Sequence, residues 1–132
     1  MKYLLDTCTV SDYLRGVDSV VKRLQKSKPS EVAISAVTAV ELRYGAACRQ
    51  SPKLTASVEA VLADITILNI NADVAEHAGF LRANMETKGR TIALADCQIA
   101  GSALAHSLAL VTNDRDLKRV PGLKVVDWRT GR

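Results

Sequence analysis

Short apolar runs alternate along this chain with longer stretches in which apolar residues recur every three or four positions. The first run, Lys2 to Leu5, is ended by Asp6-Thr7 and predicts a strand that turns into a helix running through Arg15 and stopping at Gly16. A helical pattern from Asp18 to Lys26 follows and breaks at Pro29-Ser30. Glu31 to Ser35 then predicts a second strand, with Val32 and Ile34 as its apolar positions. Thr38 to Arg49 reads as helix, and Pro52 opens another that carries Leu54, Val58, Val61 and Leu62 to about Asp64. Thr66 to Ile70 predicts a third strand. Asn71 or Asp73 caps a long helix with Val74, Ala78, Leu81 and Met85 on one side, ended by Lys88-Gly89. A nearly all-apolar helix from about Ala93 to Ala105 comes next, then a strand from Leu108 to Thr112. A helical turn from Asp114 to Arg119 and, after Pro121-Gly122, a strand from Lys124 to Trp128 complete the order.

This alternation, without repeat, linker or low-complexity segment, predicts one α/β domain over 1–132: a short, mostly parallel sheet with helices on both faces. In such sheets the functional crevice lies at the carboxyl ends of the strands. Composition narrows the core. Of 132 residues 48% are apolar but only one Trp, three Tyr and one Phe are present, so Leu, Val, Ile and Ala must fill the interior. No apolar run approaches the ~20 residues that span a bilayer, and a charge at Asp6 comes too early for a signal peptide, so a cytoplasmic protein is expected. Cys8, Cys48 and Cys97 are odd in number and lack CxxC spacing, while His77 and His106 are far from any of them. Buried free thiols are expected, with no structural zinc or disulfide. The net charge of +4 is compatible with a polyanionic partner but does not require one.

Chemistry concentrates in acids. Asp6 ends the first strand, Glu41 opens the helix after the second and Asp114 follows the fourth, so a parallel sheet gathers all three at one rim, where Asp96 can join them. From Ile92 to Ala105, Asp96 is the only charge in an otherwise apolar helix. Each acid has a local explanation. Thr38-Ala-Val-Glu41 matches a capping box, Asp6 and Asp114 can cap the helices that follow them, and Asp96 gains from a helix dipole. Together these explanations fit less well, because like charges at 4 Å repel by ~4 kcal/mol per pair at an effective dielectric near 20. A cation removes the conflict, and an all-oxygen ligand set selects Mg²⁺, or Mn²⁺ in its place.

Leu4-Leu5-Asp6-Thr7-Cys8, the run from Ile34 to Gly45 containing Glu41, Asp96-Cys97-Gln98-Ile99-Ala100 and Val111-Thr112-Asn113-Asp114-Arg115-Asp116-Leu117, closed by Val126-Asp127-Trp128, resemble the PIN domain, and most nearly the VapC-type toxins of toxin-antitoxin pairs. The resemblance covers almost the whole chain. It implies a three-layer sandwich, an endoribonuclease with a Mg²⁺ or Mn²⁺ site, a homodimer and a VapB-type antitoxin that blocks the site. Asp6, Glu41 and Asp96 match the family's most regular acids; Asp114 is the fourth, with Asp116 alternative or supporting. Thr7, Thr112 and Asn113 would orient carboxylate or water, although as turn residues the threonines can equally satisfy local backbone.

The chemistry so implied is hydrolysis of RNA, with Asp6, Asp96 and Asp114 as metal ligands and Glu41 or Asp114 handling a proton. A tRNA anticodon loop is the leading target. Arg43, Lys88 and Arg90 stand where they can steer phosphates toward the acids, or be solvated surface charge. Lys22-Arg23 and Lys118-Arg119 read as surface charge, and Leu14, Val20, Leu24 and Leu54 as core or as an apolar groove for an antitoxin helix. The alternative function is a noncatalytic PIN-like module that binds RNA or protein, against which the four acids argue. A haloacid-dehalogenase-type phosphatase needs an Asp where Cys8 stands, and a receiver domain needs an acidic pair after the first strand.

Overall fold

A computed structural model describes residues 1–130. Five strands, β1 (Tyr3–Leu5), β2 (Val32–Ser35), β3 (Thr66–Leu68), β4 (Ala109–Val111) and β5 (Val125–Val126), form one sheet in the order β3-β2-β1-β4-β5. Every pairing is parallel. The helices are α1 (Thr7–Leu14), α2 (Asp18–Lys26), α3 (Ala36–Arg49), α4 (Pro52–Asp64), α5 (Ala72–Thr87) and α6 (Leu94–Ala105).

Side chains alternate across a strand, and that alternation divides the interior in two. Leu4, Ala33 and Leu110 face one way, into a core completed by Leu81 and Met85 of α5 and Ile99, Ala100 and Ala103 of α6. Leu5, Ile34 and Val111 face the other way, against Val10, Val20, Leu42, Val58 and Leu62 from α1 to α4. The sheet is therefore the middle of three layers, as the sequence pattern predicts. Gly101 lets α5 and α6 touch: a Cβ there would lie 2.9 Å from the Ala78 backbone nitrogen and Cβ.

Local starts and stops follow recognisable chemistry. Asp6, Ser35, Ser51 and Asn71 each accept a backbone N–H from the helix they precede. Gly16 and Gly89 end α1 and α5 at φ of 78° and 75°. Four expectations are corrected. α3 begins at Ala36 with Ser35 as its cap, two residues before the expected start, so Thr38 and Glu41 form no capping box. β3 ends at Leu68 and β5 covers only Val125–Val126, because the edge strands have a ladder partner on one side only. The helical turn expected from Asp114 is confined to a 3-10 turn at Leu117–Arg119. Cys97 is buried, but Cys8 on α1 and Cys48 on α3 are exposed residues, with the Cys8 thiol partly desolvated beside Asp6. Of the doubtful leucines and valine, Val20 is core, while Leu14, Leu24 and Leu54 are half-buried beside it.

A buried charge ties the two ends of this fold. Asp12, 2% exposed, accepts Arg129 Nε at 2.6 Å and Arg129 Nη2 at 2.7 Å, and Arg15 Nη2 at 2.6 Å. Arg129, and after it Arg15, holds the Asp12 carboxyl below its ordinary value of 3.8 in spite of burial. A folded-state pKa below the unfolded one contributes stability that is complete above 3.8 and is lost as pH falls through the folded value. Asp12→Asn should cost about 2 kcal/mol at pH 7, charge-assisted bonds being worth ~1.5–3 kcal/mol each. The melting-temperature gap from wild type should be flat at neutral pH and close below 3.8. A gap independent of pH would show that the carboxylate's charge contributes nothing. Gly101→Ala should cost about 1–3 kcal/mol in denaturant titrations, since backbone must move to admit the methyl group.

Candidate active site

The register of the sheet sets the site. Leu5 is level with Ile34 on one side and Val111 on the other, so the next residues, Asp6, Ser35 and Thr112, stand in a row where the strands end. The chain leaves β1 toward β2 on one side and returns as β4 on the other. The crevice between β1 and β4 is therefore the switch point at which such sheets bind ligands. Asp6 lies on it.

Asp6 is fixed twice by backbone: its N–H donates to Val111 O at 3.1 Å, and its Oδ1 accepts Thr9 N at 2.8 Å. Thr9 in turn donates its hydroxyl to Val111 O at 3.0 Å, which locks the start of α1 to the end of β4. On the neighbouring strand's helix, Glu41 Oε1 accepts the Thr7 hydroxyl at 2.6 Å, and the Thr38 and Thr7 hydroxyl oxygens are 3.1 Å apart. Thr7 has one proton and gives it to Glu41, so Thr38 donates in that second contact. Thr38, fully buried, orients Thr7, which orients Glu41. After β4 the Thr112 hydroxyl accepts Asp114 N at 3.1 Å, and Asp114 Oδ1 accepts Asp116 N at 2.9 Å.

Electrostatics ties four acids to one another. Burial pushes the Asp6 carboxyl above its ordinary value, against contacts from Thr112 and Thr9 that favour its charge, and Asp114 pushes it up further. Asp96, half-buried at the start of α6, is raised by burial and then by Asp114, Glu41 and Asp6. No hydrogen bond holds Asp96 among the described residues, so its charge faces the other acids alone. Cys8 stands in the same field, its thiol raised by burial and by Asp6, Asp96, Asp12 and Glu41.

The expected residues divide accordingly. Asp6, Glu41, Asp96 and Asp114 share the rim with Thr7 and Thr112, and Asn113 is half-buried between Thr112 and Asp114. Asp116 is exposed and has Arg90 Nη1 3.9 Å away, which places both at the outer edge. Lys88 is the exposed cap of α5. Arg43, expected among the phosphate-steering cations, has its guanidinium forked onto Glu59 of α4 at 2.9 and 3.2 Å, an exposed pair. Two supports are not evident from the sequence. Thr38 is masked as an orienting residue by the capping-box match, and Thr9 by its spacing from Asp6, which is that of an ordinary N-cap pair.

Among the described residues, no three carboxylate, thiol or imidazole groups converge closely enough to enclose a metal ion by themselves. The donor set is all oxygen and partly buried, and Asp96 lacks any protein partner. Mg²⁺ typically takes one or two carboxylates and completes its shell with water and phosphate oxygens, so these residues fit that ion as an open half-shell.

A model of the PIN domain family matches residues 3–123. Over 130 residues the chain is 32% identical to the tRNA(fMet)-specific endonuclease VapC of Salmonella typhimurium, covering 97% of this chain and 98% of that one. Identity to the protein of the same name from Shigella flexneri is 34%, with the same coverage. The fold superposes on a DNA-bound VapBC of Salmonella typhimurium with a TM-score of 0.87, at 32% identity and over 97% of this chain and 98% of that one.

The crowding of acids has a measurable sign. A carboxyl whose folded-state pKa is raised destabilises the protein above that value, and the penalty vanishes below the unfolded one. Asp96→Asn should therefore raise the melting temperature of the metal-free protein by about 2–4 °C at pH 7. The gain should disappear as pH falls below 3.8. A melting temperature lowered at pH 7 would mean that Asp96 serves the dipole of α6 instead.

Proposed function

The chain belongs to the PIN domain family and, within it, to the VapC ribonucleases of toxin-antitoxin systems, and on that premise we propose that it is a Mg²⁺-dependent endoribonuclease whose metal site is the rim of Asp6, Asp96 and Asp114. The single observation that carries this reading is the half-buried, unpartnered Asp96 facing three other carboxylates. Such an arrangement costs folding free energy unless a cation is bound. Mn²⁺, with the same preference for oxygen, should substitute.

Asp6 and Asp96 would hold the ion, with Asp114 as the third carboxylate. Once bound, Mg²⁺ supplies positive charge to a phosphate oxygen and makes water more acidic. The chain's own residues do the rest. The Thr38–Thr7 pair fixes Glu41 through Oε1, leaving Oε2 to take a proton from the attacking water. Thr112 positions the backbone that presents Asp114. Because water attacks and not the ribose 2′-hydroxyl, the products carry 5′-phosphate and 3′-hydroxyl ends.

The tRNA-specific names of the relatives support a tRNA as the substrate, and the cut is proposed in its anticodon loop. The solved VapBC neighbours support a small VapB-type antitoxin as partner, and it is proposed to block the rim. Val40 and Tyr44, four apart on α3 and 66% and 71% exposed, form an apolar patch that a second copy would cover in a homodimer. Among the described residues no helix is long and apolar enough to cross a membrane, and the proposed site of action is the cytoplasm, where the RNA is.

Cleavage of labelled tRNA should require Mg²⁺ or Mn²⁺, stop in EDTA and fall at least ~100-fold in Asp6→Asn. Mg²⁺ affinity by titration calorimetry should drop by roughly tenfold or more in Asp96→Asn. Expression without an antitoxin should arrest growth, and Asp6→Asn at equal protein level should be tolerated. RNA binding without cleavage in either metal would establish the noncatalytic module instead.

A further inference from the structure

One cavity opens onto the carboxylate rim from the side. It lies between α1 and α3 with α4 beneath, and has a volume of about 180 Å³. Its walls are two stripes with fourfold spacing: Thr7 and Ser11 on α1 with Arg15 at its C-cap, and Glu41, Gly45 and Arg49 on α3. Residues four apart share a helix face, so each stripe runs straight along the groove. Thr7 and Glu41, joined by a hydrogen bond of 2.6 Å, line the catalytic end. Arg15 and Arg49 stand at the other end, eight residues or about 12 Å along the axes. Leu42, Leu54 and Val58 form an apolar floor between them.

Arg15 is held in place. Its Nη2 is bonded to Asp12, 3% exposed in its side chain, whose single charge is shared with Arg129. The trio is therefore net positive, and Arg15, 64% exposed, keeps its remaining donors for solvent or a ligand. Arg49 is exposed and enters no ion pair among the described residues, unlike Arg43 on the same helix. At Gly45 a Cβ would meet nothing within 4 Å, so the α3 backbone itself is open to the groove.

We propose that this groove is a subsite for one nucleotide of the RNA strand adjoining the scissile phosphate, its base on the Leu42, Leu54 and Val58 floor and its phosphate on Arg15 and Arg49. The assignment rests on the ribonuclease reading and names how the same site takes its substrate. Charge complementarity selects the occupant. Two arginines beyond an apolar floor match a base with a phosphate, whereas a protein tail would have to bring an acidic group to the arginine end and a basic one to the carboxylate end. Guanidinium forks suit phosphate geometry, and an apolar floor accepts any base face, so the subsite contributes affinity without strong sequence choice.

Two variants test this by different routes. Gly45→Leu fills the groove from a position with free space, and Arg15→Gln with Arg49→Gln removes its cations. Each is measured for melting temperature, for Mg²⁺-dependent cleavage and, in EDTA, for anisotropy of a fluorescein-labelled single-stranded oligoribonucleotide of mixed sequence. Gly45→Leu should melt no lower than wild type, glycine being a poor helix former, and should weaken RNA binding and raise KM roughly tenfold with kcat nearly unchanged. The double arginine variant should show the same rise in KM, and its log–log salt dependence of binding should be shallower by about 0.7, because one phosphate of the strand keeps its counterion. If both variants bind and cleave like wild type, the subsite is refuted while the ribonuclease reading stands. If wild type itself does not cleave, that reading fails first. Loss of binding to a VapB-type antitoxin with RNA binding and salt slope intact would give the groove to a protein partner and overturn the proposal.

Discussion

Carboxylates repel one another, and a fold that gathers Asp6, Glu41, Asp96 and Asp114 at one rim has to hold them there by other means. It does so largely with backbone. The parallel register places Asp6 level with Thr112, and two hydrogen bonds between β1, α1 and Val111 make that alignment rigid. Glu41 is aimed by Thr7, which the buried Thr38 holds in turn. Asp114 is presented by the turn that Thr112 organises. Only Asp96 is held by packing alone: the middle of α6, Cys97 and Ile99 to Ala103, is buried, and the first turn of that anchored helix carries the charge to the rim. Burial and this crowding keep the carboxyls of Asp6 and Asp96 above their ordinary values, which costs folding free energy in the chain as it stands.

The two cores divide the labour. The α5–α6 side is dense, and Gly101 shows how close its helices come. It carries one acid on a rigid support. The α1–α4 side carries Asp6 and Glu41 and is looser at its surface, with half-buried Leu14, Leu24 and Leu54 and with charged residues at its edges. A polymeric substrate or a partner helix needs such an accessible, partly apolar surface, whereas a ligand of atomic size needs only the rim. Both needs are met because the sheet separates the faces while its carboxyl edge joins them.

Much of this is legible in the residues. The order of strands and helices follows from the switch between short apolar runs and 3.6-residue periodicity, and the solitary Asp96 in an apolar helix marks its own importance. The start of α3 is not legible in the same way, because Thr38-x-x-Glu41 imitates a capping box. Ser35 wins as the cap since β2 ends there by register with β3, a tertiary fact that local sequence does not contain. The same imitation hides Thr38 as a support for Glu41. The pairing of Arg43 cannot be read without knowing that α4 folds back to bring Glu59 beside it, and the Asp12–Arg129 pair spans 117 positions, beyond any pattern of spacing.

That long span has a consequence for how the protein comes into being. α1 carries Thr7 and follows directly from Asp6, yet the buried carboxylate at its far end is satisfied only when Arg129 reaches it, and β1 lacks its β4 neighbour until Ala109–Val111 has been made. A chain growing on the ribosome thus exposes its first acids early but cannot fix them until nearly everything else has been translated. Assembly of the rim from distant segments therefore waits until synthesis is almost over, and its acids come together only in the finished fold.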